Sequence, residues 1–148
     1  MRGFAAVGLH NAKNSLNVGG ALRACGCYGT AMMAVDGRAR NYMKPAATDT
    51  MKQFHHMPLL VCDSLYDVIP YSCQPVAVEI VEGAIPLQKY QHPQSAFYIF
   101  GPEDGSISDD VLDWCVDTVY VPTSQCMNLA ATVNVVLYDR MVKTGGLA

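Results

Sequence analysis

Six short runs of mainly apolar residues recur along the chain: FAAVGL (4–9), AMMAV (31–35), PLLVC (58–62), VAVEI (76–80), AFYIF (96–100) and TVYV (118–121). A strand with one wet face alternates apolar and polar residues, whereas a strand covered on both faces is apolar almost throughout. The runs therefore predict an α/β fold, a parallel sheet covered by helices on both faces. Helices are expected over Leu16–Tyr28 and Thr48–Phe54, briefly from Ser64, over Ser108–Cys115, and from about Leu129 to Lys143.

Two helix termini carry local chemistry that supports these assignments. Ser108 offers an N-cap oxygen ahead of Asp109 and Asp110, which sit where the helix dipole favours negative charge. The last helix sets Leu129, Val133, Val136, Leu137 and Met141 on one stripe and ends at Gly145–Gly146, a C-cap signal.

A chain of 148 residues fits one domain, and a domain of that size buries roughly 70% of its unfolded surface. With 51% hydrophobic and 16% charged residues the chain is globular rather than disordered, with apolar surface to spare for a subunit interface. No apolar run reaches the ~20 residues of a membrane span, and MRGFAAVGLHN lacks the core of a secretion signal. The expected location is cytoplasmic, with no membrane partner. The six cysteines, Cys25, Cys27, Cys62, Cys73, Cys115 and Cys126, show no paired metal spacing and are expected mostly as small buried hydrophobes.

The net charge of −3 conceals an uneven distribution. Residues 1–52 hold seven basic side chains against two acidic ones, so the rest of the chain carries −8. A basic N-terminal part suits a polyanion face and equally suits ordinary solvated surface.

Three turns, each near the end of an apolar run, concentrate the groups that can do chemistry. In the first, Asn17, Gly20 and Arg23 follow one another at helical-turn spacing. An amide, a bare stretch of backbone and a guanidinium fork suit a phosphodiester, although the glycines also suit close helix packing. The second, GPEDGS, lets the backbone approach a flat ligand at Gly101 and Gly105. Glu103 could orient a ligand group there, or anchor the loop to backbone N–H groups. The third, VPTSQCMNL, places Ser124, Cys126 and Asn128 before a helix, as ligand contacts or as a simple N-capping segment. No G-x-G-x-x-G, P-loop or metal-ligand cluster occurs, and His10, His55, His56 and His92 suit packing or surface positions better than a metal site.

Taken in order, the three turns resemble the motifs of the SpoU/TrmH branch of the SPOUT RNA methyltransferases, most nearly its small TrmL-like, single-domain members. Asn17 and Arg23 match an Asn followed six positions later by Arg; Phe100–Glu103 with Gly105 match Phe-Gly-Pro-Glu and a following Gly. Val121, Pro122, Cys126, Met127 and Asn128, followed by Leu137–Asp139, match the third motif, with Cys126 where a serine is usual. The likeness runs over nearly the whole chain. It implies one domain over residues 1–148 without a separate RNA-binding domain, and a C-terminal deep trefoil knot, an exception to the rule that chains avoid knots.

The resemblance also implies a function: transfer of a methyl group from S-adenosyl-L-methionine to a ribose 2′-hydroxyl of RNA, with tRNA expected and rRNA as the alternative. Arg23, Asn17, Asn128 and Glu103 become the catalytic candidates; Glu79, Gly101, Val121, Cys126 and Met127 become the cofactor-binding ones. A homodimer through the C-terminal helix is implied, with no metal. Recognition of RNA is expected on the basic part, with Arg2, Arg38, Arg40 and Lys44. The competing reading is a knotted protein that binds cofactor or RNA without turnover.

Overall fold

The computed structural model describes residues 3–43 and 57–146. Seven strands, β1 (Phe4–Leu9), β2 (Met32–Val35), β3 (Leu59–Val61), β4 (Gln74–Val78), β5 (Ile85–Pro86), β6 (Ser95–Phe100) and β7 (Asp117–Tyr120), form one sheet in the order β3-β2-β1-β6-β4-β7-β5. Every pairing is parallel. Three α-helices accompany them: α1 (Ser15–Cys27), α2 (Asp109–Trp114) and α3 (Leu129–Thr144).

The continuous apolar runs of the central strands are explained by two cores, one on each face of the sheet. Val7, Leu9, Val76, Tyr98 and Phe100 point to the face covered by α1 and α3, with Leu22, Val133, Val136 and Leu137 packed on them. Ala6, Ala77, Phe97 and Ile99 point to the opposite face, under Leu65, Ile107 and Val111. Covering is thus two-sided and, among the described residues, unequal, because the six-residue α2 and a 3-10 turn at Leu65–Val68 are what lies over the second face.

Several local expectations are corrected. The helix from Ser64 is this 3-10 turn, and the expected helix at Thr48–Phe54 lies outside the described residues. The run VAVEI ends as a strand at Val78, so Glu79 and Ile80 belong to the following loop; the strand instead starts earlier, at Gln74 and Pro75, before β7 joins its edge opposite Val76. Two-residue β5 and the 3-10 turns at Gly37–Asn41 and Leu87–Lys89 were too short to leave a periodic signal. Ser108 sits at the N-cap of α2, but its hydroxyl makes no capping bond and lies 3.4 Å from His10 Nε2 instead.

The caps of the longer helices come from asparagine. Asn14 Oδ1 accepts from Leu16 N at 2.8 Å to start α1, and Asn128 Oδ1 accepts from Ala131 N at 3.1 Å to start α3. Gly145, at φ 84°, closes α3 in the left-handed conformation. The far end of α3 is fixed by Arg140, only 2% exposed, which donates to the carbonyls of Phe4, Pro93 and Gln94 and to Tyr98 Oη. His92, bound between Tyr98 Oη and Asp139, is held below its usual range by burial, which outweighs the carboxylate beside it.

Helices α1 and α3 meet at Gly20, where an added Cβ would lie 2.7 Å from Ala130 Cβ. Gly20→Val should therefore destabilise the protein by roughly 1–3 kcal/mol through overpacking. Urea unfolding measures it, and an unchanged midpoint would show that the two helices have room to separate.

Candidate functional site

Register decides where chemistry can collect. Leu9 pairs with Phe100, Phe100 with Val78, and Val78 with Val119, so β1, β6, β4 and β7 end at one level. Parallel strands leave free backbone groups at their C-terminal ends, and four loops emerge here side by side. They comprise residues 10–14 after β1, 79–84 after β4, 101–108 after β6 and 121–128 after β7.

Three of these loops line a half-open cavity of about 170 Å³. Val78, Phe100 and Leu129 give it apolar walls; Gly101, Pro102 and Gly105 present backbone; Tyr120, Val121, Cys126 and Met127 close the side next to α3. Two carboxylates, Glu79 and Glu103, line it, and among the described residues no lysine or arginine does. Such a cavity favours a cationic or neutral ligand over one rich in phosphate.

Glu103 joins the loops. Its Oε1 accepts from Lys13 N and its Oε2 from Asn14 N and Asn17 Nδ2, all at 2.9 Å. Asn17 Oδ1 then accepts from Asn128 Nδ2 at 2.9 Å, which connects the chain of amides to the N-cap of α3. Partial burial pushes the Glu103 carboxyl upward, but the bonds from Asn17 and the backbone outweigh it and hold the group below its ordinary range.

Glu79 does similar work on the other side of the cavity. Its Oε1 accepts from Ile80 N and its Oε2 from Ile107 N, both at 2.9 Å, so the loop after β4 is tied to the return of loop 101–108. Gly101 lies between them with no space for a side chain, since a Cβ would stand 2.9 Å from Ile107 Cγ1 and 3.5 Å from Glu79 Oε2.

The five residues expected at a cofactor, Glu79, Gly101, Val121, Cys126 and Met127, therefore all line one cavity. Asn17, Glu103 and Asn128 form one hydrogen-bonded chain, in which the anchoring role foreseen for Glu103 is the geometry found. Arg23, exposed on α1, does not line the cavity. Of the basic part, Arg38 is paired with Asp104 and Arg40 with Asp63, while Arg2 and Lys44 lie outside the described residues. Tyr120 and Thr132, also at the cavity, escaped notice because nothing in their neighbours marks them apart from strand and helix.

The model of the SpoU rRNA Methylase family matches residues 5–138. No curated protein sequence matches. Among solved structures, the chain is similar to the TrmH/SpoU tRNA modifying enzyme of A. aeolicus, at 14% identity and a TM-score of 0.84 over 95% of this chain and 75% of that one. It is also similar to the SpoU methyltransferase AviRb of Streptomyces viridochromogenes in complex with AdoMet, at 18% identity and a TM-score of 0.81 over 94% of this chain. Only 60% of AviRb is covered, so this chain spans less than two thirds of that relative. A third similar structure, described as giving insight into 2-OH methylation of C/U34 on tRNA, has 19% identity and a TM-score of 0.80 over 97% of this chain and 92% of its own. At these identities the likeness is one of fold.

Because Lys13 N and Asn14 N donate to Glu103, their amide resonances report its protonation. A carboxyl held below its unfolded value stabilises the fold fully above that value and loses the effect as pH falls through the lower, folded one. The two amides should titrate together with a midpoint below the ordinary 4.5; an NMR midpoint at or above it would show that the stitching does not hold in solution.

Proposed function

For a chain that belongs to the SpoU rRNA Methylase family, we propose transfer of a methyl group from S-adenosyl-L-methionine to a ribose 2′-hydroxyl of RNA. The observation that carries the cofactor is the cavity: level strand ends, backbone exposed at Gly101, apolar walls at Val78 and Phe100, two carboxylates and no cation among the described lining residues. A donor with a flat ring system and a positive sulfonium fits that character better than a nucleotide with phosphates. Bound S-adenosyl-L-methionine would supply an electrophilic methyl whose bond to sulfur breaks as the bond to the ribose oxygen forms, leaving a neutral thioether and releasing the hydroxyl proton to solvent.

The protein's part is placement. Glu79, through its bonds to Ile80 N and Ile107 N, and Glu103, through loop 10–14, keep the cavity walls in position before any ligand enters. Preformed alignment of this kind can supply ~7–11 kcal/mol of a barrier. Asn17 and Asn128 hold one another and the start of α3, and we assign them to orientation rather than to proton transfer. Cys126 and Met127, both at the cavity, complete the wall from the side of α3.

Arg23 is assigned to the RNA. A guanidinium with a pKa above ~12 is a poor base at neutral pH but a good fork for phosphate oxygens, so it would grip the target phosphodiester and stabilise charge developing on the ribose oxygen. Because Arg23 does not line its own cavity, the reading includes a homodimer through α3 in which the site is completed across subunits. Exposed Val135, Tyr138 and Val142 on α3 and Leu16 at the start of α1 support such an interface. The deep knot belongs to the same proposal, supported by the return of β7 between the earlier strands β4 and β5. Transfer RNA is the proposed substrate, on the likeness to the A. aeolicus tRNA modifying enzyme.

Incubation with labelled cofactor and the tRNA and rRNA pools of its host, followed by mapping of the modified ribose, tests this reading. Label in a single tRNA position is expected, whereas label in rRNA would move the substrate and label in neither would remove the activity. Arg23→Ala should lower transfer by about 100-fold or more while cofactor affinity stays within about threefold. An unchanged rate would take Arg23 out of the reaction.

A further inference from the structure

Within the stretch 101–105, Asp104 stands out because it does not line the cavity. Its carboxylate is turned to Arg38, which donates from Nη2 to Oδ1 at 2.7 Å and from Nη1 to Oδ2 at 2.9 Å, a bidentate fork. Lys13 Nζ stands 4.0 Å from the same carboxylate. The hydrogen bond to Arg38, the foremost cause, holds the Asp104 carboxyl down at about 2.

Arg38 is itself held from behind. Its Nε donates to Asn11 Oδ1 at 3.2 Å, its Nη2 to Asn11 O at 3.0 Å, and its backbone N to Asn11 Oδ1 at 3.0 Å. Asn11 keeps a left-handed conformation, φ 59°, with its own N–H on Asp36 Oδ1 at 2.9 Å. Gly37, at φ 63°, lies against Asn11 so closely that a Cβ would be 2.6 Å from Asn11 Oδ1. Two uncommon backbone conformations, one of them at a non-glycine residue, are thus maintained around a single guanidinium.

Four of the five guanidinium N–H groups of Arg38 are used within the chain. A side chain so occupied has little left for an RNA phosphate, although charge counting alone assigns Arg38 to the basic face. We infer that Arg38 is a positioning residue of the cofactor cavity: by holding Asp104 it fixes loop 101–108 as the cavity wall, and it is not a phosphate ligand. The inference rests on the cofactor reading given above. Loop 101–108 is then held on three sides, by loop 10–14 at Glu103, by Arg38 at Asp104 and by Glu79 at Ile107.

The test uses Arg38→Gln, Asp104→Asn, the double variant and Arg38→Lys, with thermal unfolding as a check that each is folded. Amide exchange over residues 101–107 without ligand should accelerate about tenfold in both single variants, as for a loop losing its anchor. Affinity for S-adenosyl-L-methionine by calorimetry should fall roughly tenfold, short of the hundredfold that a misplaced group can cost catalysis. KM for the cofactor should rise with kcat at saturating cofactor within about threefold, as expected when binding is lost rather than transition-state stabilisation.

The double variant should be no worse than either single one, since both remove one contact. Arg38→Lys should recover less than half of the loss, because an ammonium cannot span Asp104 and Asn11 as the planar fork does. RNA affinity should keep its salt dependence; a phosphate ligand would lower the slope by about 1. Wild-type exchange and cofactor affinity in Arg38→Gln would overturn the inference, as would a lower RNA slope with cofactor affinity intact. If the unaltered protein gives no heat with S-adenosyl-L-methionine, the cofactor reading falls, and exchange over 101–107 alone decides whether Arg38 holds the loop.

Discussion

The carboxylate of Glu103 is the interaction on which the site depends. Loop 10–14 and loop 101–108 leave neighbouring strands at the same level, yet nothing in the sheet requires them to close on each other. Two hydrogen bonds to this side chain, from Lys13 N and Asn14 N, do so beside the Arg38 bridge from Asn11 to Asp104, and a third, from Asn17, continues through Asn128 to the first turn of α3. A charged acceptor satisfied by backbone and amide donors has no counter-cation to shed, so its charge remains available to shape the potential of the cavity it borders.

Helix α3 converts that local closure into a fixed geometry. Its N-terminal end is tied to the site by Asn128, and its other end by Arg140 and Lys143, which donate to carbonyls of Leu87, Tyr90, Pro93 and Gln94. A buried guanidinium without a bonded carboxylate would be costly in an apolar core; here four acceptors on the protein meet it. Between the two ends, Val133, Val136 and Leu137 pack into the core and Gly20 allows α1 to come close. Placement of the cavity is therefore set from both ends of one helix.

Most of this architecture could be read from the chain because its signals are local. Continuous apolar runs marked six of the seven strands, and Gly-Pro-Glu and the Cys126–Asn128 segment marked the loops that line the cavity. What escaped were relations between distant residues. Charge counting placed Arg38 and Arg40 on a basic face, but they pair with Asp104 and Asp63, 66 and 23 positions away. Ser108 looked like a cap by its neighbours, and its hydroxyl turned instead toward His10, 98 positions earlier. Glu79 was expected at the cofactor, and nothing local showed that its side chain also clasps two loops together. β5, with two residues, carries no period at all.

On the proposed function, three loops at one sheet edge form a ready cavity for a sulfonium donor. Titration of S-adenosyl-L-methionine into isotope-labelled protein, followed by amide NMR, tests it most directly. Saturable shifts should be confined to residues 78–80, 101–105 and 120–132, with loop 10–14 little changed because it is already in place. Absence of saturable shifts, or shifts centred away from that edge, would contradict it.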